Sequence, residues 1–105
     1  MINRPFDMSN KIMKKHLHEI MKIPYVDVDI ALATLQPIQI TNSHWYDKKD
    51  AAKAIEHHYM RRIAENQSRY ASSHAEIYHK REMLCTERLE RVHAYMAELE
   101  REVTK

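Results

Sequence analysis

The sequence predicts an all-α fold, and three observations carry that prediction. The last fifty-nine residues, Asp47 to Lys105, contain no proline, and the chain of 105 residues has no glycine anywhere, so nothing in that stretch stops a helix. The same stretch is dense in Ala, Glu, Arg, Lys, Leu and Met, which lose little side-chain freedom in a helix. Upstream, Ile12, Met13, Leu17, Ile20 and Met21 recur at helical spacing among Lys11, Lys14, Lys15, His18, Glu19 and Lys22.

The first element is a short amphipathic helix over residues 9–23, capped by Ser9 or Asn10 and closed by Pro24. Residues 24–46 form an irregular or short helical connector that supports two patterns. Tyr25-Val26-Asp27-Val28-Asp29-Ile30 alternates with period two, and Pro37-Ile38-Gln39-Ile40-Thr41 alternates again, as a small two-stranded element would. Against this, Asp27 at an N-cap puts Val28, Leu32 and Leu35 on one face of a helix ended by Pro37, and Ala31-Leu32-Ala33 suits that helix better than a strand. The cap cluster Thr41-Asn42-Ser43 leads into the third element, a long helix or helical hairpin over residues 47–104.

That third element poses a geometric problem. Unbroken, it would run roughly 80–90 Å, longer than a domain of this size is wide. It must fold back or lie against a partner chain. The weakest helical stretch, Asn66-Gln67-Ser68 through Ser72-Ser73, is where it would turn, with Ser73-His74-Ala75-Glu76 as a capping box for a new helix. From Cys85 onward the apolar spacing is strictly four-three, through Leu89, Val92, Met96, Leu99 and Val103, which is a coiled-coil seam and predicts self-association as a homodimer.

Composition narrows the classes of function. A 44% hydrophobic chain of this length fits a single helical domain spanning residues 1–105. Its formal charge of +2, from 17 basic and 15 acidic residues, does not demand a nucleic acid. No segment approaches the roughly 20 apolar residues of a membrane span, and Met1-Ile2-Asn3-Arg4-Pro5-Phe6-Asp7 has no secretory apolar core, so the expectation is a cytoplasmic protein without a membrane partner. The one cysteine, Cys85, has no partner within the chain and agrees with a reducing compartment.

Catalytic signatures are missing. Without glycine there is no P-loop, dinucleotide fingerprint or nucleophile elbow, and the chain reads as a non-enzyme with no cofactor. Eight histidines invite a metal reading, and Glu76-Ile77-Tyr78-His79 and Glu90-Arg91-Val92-His93 each carry a Glu and a His at i, i+3. The two pairs lie fourteen residues apart, about 21 Å along one helix, so they cannot share an ion unless the helix breaks between them, and no metal ligands are assigned.

Two kinds of binding remain. The favoured one is protein binding without catalysis, by a small regulator or inhibitor of a larger complex, with the size and character of a phage or mobile-element accessory protein. Its expected contact residues are Trp45 and Tyr46 at the start of the long helix, Tyr59, Met60, Arg61, Arg62 and Tyr95, residue types that carry much interface energy. The alternative is a nucleic-acid-binding transcriptional regulator with a dimerising long helix. Lys11, Lys14, Lys15 and Lys22, then Arg61-Arg62, Arg69 and Lys80-Arg81 with tyrosines between them, would suit phosphates. Asp27 and Asp29 occupy the segment where a base-reading helix needs donors, which weighs against it.

Overall fold

The computed structural model describes residues 9–103, with the side chain of Val103 outside that description. The elements are β1 (Lys11–Ile12), α1 (Lys14–Met21), α2 (Tyr25–Leu32), β2 (Ile38–Ile40), β3 (Ser43–Asp47), α3 (Lys48–Ser73) and α4 (Glu76–Val103). Helix dominates, as the composition predicts, and a small three-stranded antiparallel sheet of order β1-β3-β2 is added to it.

The sheet revises the first boundary. Residues 9–13 are not helical: Lys11 pairs with Asp47 and Ile12 with Tyr46, and the backbone carbonyl of Asn10 accepts from Lys48 N–H at 2.8 Å. Helix α1 therefore starts at Lys14 with Met13, not Ser9 or Asn10, at its N-cap. The reason is non-local. Ile12 finds its partner only when β3 arrives from more than thirty residues away, and periodicity within a short window carries no trace of that.

The connector contains both patterns, one in each half. Its first part is the helix α2, begun by Pro24 rather than capped by Asp27, whose side chain lies in the first turn and is buried. Val28 and Leu32 enter the core and Leu35 packs against it. Its second part is β2, paired with β3 in the register Ile38 to Trp45 and Ile40 to Ser43. Trp45 and Tyr46 thus sit in a strand, and the long helix starts only at Lys48, where the Asp47 carboxylate accepts from Asp50 N–H at 3.0 Å and caps it.

A chain without glycine must still turn. Among the described residues the left-handed ones are Lys22, Thr41 and His74. Thr41 opens the two-residue turn between β2 and β3, where glycine is favoured, and a β-branched residue pays the largest steric cost there. Thr41→Gly is expected to raise unfolding stability by about 0.5–1 kcal/mol in urea melts. A loss of stability would mean that the hydroxyl bond to the Ile40 carbonyl, 2.6 Å long, outweighs the strain.

His74 decides the long region. Its left-handed backbone (φ 57°) closes α3 with an N–H bond to the Tyr70 carbonyl at 2.7 Å, and the chain folds back as α4. The expected capping box is altered: the Ser73 hydroxyl accepts from Ala75 N–H rather than from Glu76 and donates to the Arg69 carbonyl. The seam then pairs inside the chain. Cys85, Val92 and Leu99 are buried in the same core as Ala52, Ile55 and Tyr59 of α3, and Leu89 and Met96 pack against it. No described helix is long and apolar enough to cross a membrane.

The core occupies one end of a molecule 64 Å long. It joins α1, α2 and the sheet to the near halves of α3 and α4. Beyond Asn66 on α3 and before Cys85 on α4 no described residue is buried, so the far halves of the two helices project as an arm.

Candidate functional site

At the root of the arm a buried charge ties three helices together. Asp27 of α2 is 3% exposed. Its Oδ2 accepts from the Tyr59 hydroxyl at 2.8 Å and from Arg88 Nη1 at 3.4 Å, and its Oδ1 from Arg62 Nη1 at 3.0 Å, with His58 Nε2 3.3 Å away. An isolated buried carboxylate would be prohibitive, and these four groups offset its desolvation. Burial, and then the bond to Asp27, push the Tyr59 phenol well above its ordinary pKa. The other ring nitrogen of His58, Nδ1, is buried with no partner.

The network fixes the surface beside it. On α2, Val26 and Ile30 flank Asp27 and are 60% and 52% exposed, while Asp29 on the same side holds Lys14 at 2.7 Å. On α4, Arg88 reaches Asp27, and Arg91 donates to the Lys22 carbonyl at the end of α1 at 2.8 Å. Leu84 stands one turn before Arg88, and Ile77 and Leu84 precede Arg91 by fourteen and seven residues, so all three share one row of the helix. The row that meets α1 and α2 at the core therefore continues up the arm as exposed Leu84 and Ile77. Arg69 follows Arg62 by seven residues on α3 and continues that helix's row likewise. Arg69 and Arg81 both lie over the Tyr78 ring, 5.9 and 5.8 Å from its centre. Leu84 borders a shallow groove of α4 with Lys80, Glu82, Met83, Thr86, Glu87 and Glu90, while Val26 and Ile30 form an exposed apolar pair on α2.

The residues expected to meet a partner scatter. Tyr46, Tyr59 and Tyr95 are core residues, and Arg62 is half-buried on Asp27. Burial raises the Tyr95 phenol to about 12. Trp45 is half-buried in β3, whereas Met60 and Arg61 are exposed on α3. Of the seam, Cys85, Val92 and Leu99 lie in the core with residues of α3, Leu89 and Met96 pack against it, and the side chain of Val103 lies outside the described residues. The exposure of Val26, Ile30, Ile77 and Leu84 was not legible in the sequence, because it depends on which segments pack together.

The other chemistries are quickly placed. Helix α4 is unbroken from Glu76, which keeps the two Glu-x-x-His pairs apart; His93 faces Glu56 at 2.8 Å instead. Among the described residues no three His, Cys, Asp or Glu side chains are grouped to hold an ion. Burial raises the Cys85 thiol, against the pull of Arg62 and Arg88, and makes it a poor nucleophile.

The sequence shows no turn between α1 and α2, yet residues 22–24 make one through the left-handed Lys22, and a β-hairpin follows. Helix, short turn and helix are the layout of a DNA-binding helix-turn-helix, in which the second helix enters the major groove. Lys14, Lys15, Tyr25, Asn42 and His44 line a shallow cleft between α1 and the hairpin tip. The exposed side of α2, however, offers Tyr25, Val26, Asp29 and Ile30, a set poor in the Arg, Asn and Gln that read bases. No family model, characterised protein or solved structure matches this chain.

Proposed function

We propose that the protein is a non-catalytic protein-binding module, a small cytoplasmic regulator or inhibitor of a larger complex, and that its docking surface is the outward face of α2. The exposed pair Val26 and Ile30 carries this reading. Two large apolar side chains occupy the outward face of the helix that would meet a ligand, and their neighbour Asp29 neutralises Lys14. Such a face gains by leaving water against another apolar surface and gains nothing from a phosphate.

The cleft lined by Lys14, Lys15 and His44 supports the second reading, a nucleic acid along α1 and the hairpin tip. Affinity purification of the tagged chain from its source cell separates the two. A protein partner is expected to stay bound at about 0.5 M salt, where counterion release has removed most phosphate-driven affinity, and to be lost from a Val26→Glu/Ile30→Glu double variant whose melting curve is unchanged. Recovery of nuclease-sensitive material that leaves the column as salt rises, with the double variant behaving like the parent, would replace this reading with the second.

A further inference from the structure

We infer that the outer face of α4 pairs with the same face of a second copy of this chain, the two helices running antiparallel about a two-fold axis between Met83 and Leu84. This surface is neither the outward face of α2 nor the seam expected from the sequence. The seam residues Cys85, Val92 and Leu99 lie in the core on the inner side of α4. The outer side carries Met83, 60% exposed, and Leu84, 43% exposed, beside a shallow groove. Two adjacent large apolar side chains gain by leaving water, and they mark the centre of the face.

The charges around that centre fit a second copy. Glu76, Lys80, Glu87 and Arg91 are all exposed, and steps of three or four residues carry one face of the helix from Glu76 through Met83 and Leu84 to Arg91. Lys80 precedes Met83 by three residues, and Glu87 follows Leu84 by three. Glu76 precedes Met83 by seven, and Arg91 follows Leu84 by seven. The order is therefore acid, base, apolar pair, acid, base. Laid antiparallel, a copy sets Lys80 against Glu87 and Glu76 against Arg91 on both sides of the axis. Laid parallel, it would set like charge against like at all four positions. A closed two-fold contact requires a patch that is complementary to itself, and this one is so in one direction only. Within the chain, Glu87 holds Arg91 at 2.7 Å, while Glu76 and Lys80 make no ion pair among the described residues. Pairing completes an alternating row of Glu76, Arg91, Glu87 and Lys80 on each side.

The face runs about 22 Å from Glu76 to Arg91. Exposed ion pairs contribute little each, so they set the direction and the apolar centre drives a weak association. Sedimentation equilibrium of the full chain from about 10 µM to 1 mM tests this. The mass is expected to rise with concentration from that of one chain towards that of two. Leu84→Glu and Lys80→Glu, both at exposed positions, are each expected to raise the dissociation constant at least about tenfold, with circular dichroism showing unchanged helicity. The charge-swapped double variant Lys80→Glu/Glu87→Lys is expected to associate like the parent, because the swap keeps opposite charges facing across an antiparallel pair. A single-chain mass at every concentration would overturn the proposal. So would a dimer that either single variant leaves intact, or a charge-swapped chain that stays monomeric.

Discussion

Asp27→Ala is expected to cost about 3–5 kcal/mol of unfolding free energy, the range for removing one partner of a buried ionic network. The carboxylate is the one acceptor for Tyr59, Arg62 and Arg88 in the network that joins α2 to both helices of the hairpin. Without it, the Tyr59 hydroxyl, which is fully buried with its ring, has no partner, and two guanidiniums repel each other at the root of the arm. Asp27→Asn keeps the shape and an acceptor but removes the charge, and should cost less, about 1–3 kcal/mol. Urea denaturation of both variants checks the order. A cost below about 1 kcal/mol for Asp27→Ala would mean that solvent reaches the network and that α2 is not anchored by it.

Leu99→Glu comes next in expected effect and bears on how the seam is used. Leu99 is 6% exposed within the chain's own core. Its loss costs about 2–5 kcal/mol before the burial of a carboxylate is added. Melting temperature should fall by about 4–8 °C for each kcal/mol in a domain this small. Sedimentation should give the same mass for parent and variant under native conditions, since the seam closes on α3. If the variant instead halves the sedimenting mass and keeps the parent's unimolecular stability, the seam pairs two chains, and the hairpin opens to do so.

Much of the architecture could be read along the chain because it is set by neighbours in sequence. The absence of proline and glycine after Asp47, the four-three spacing from Cys85 to Leu99 and the stop at Pro24 are local statements about which backbone a segment tolerates, and α1, α2, α3 and α4 follow from them. The same locality explains why Asn66 to Ser73 stood out as the place for a turn, although the break falls at its end, on His74. What failed was whatever depended on a distant partner. Ile12 is a strand residue because of Tyr46, and Trp45 belongs to a strand because of Ile38.

The candidate site is the extreme case of this division. Asp27 and Arg88 are sixty-one residues apart, and neither belongs to any motif. In sequence Asp27 reads as a cap or as a charge unwelcome to DNA; in the fold it is a buried joint between α2 and the two long helices. The sequence by itself determined that the chain is helical, that its last fifty-nine residues have to fold back or find a partner, and that it has no glycine for a P-loop or nucleophile elbow. Tertiary structure alone decided that the chain folds back on itself, that the expected tyrosines are core, and that Val26, Ile30, Ile77 and Leu84 stay exposed. The physical reason is range. Helix propensity and periodicity act within a few residues, whereas burial and charge pairing depend on which segments meet, and that is fixed only when the whole core closes.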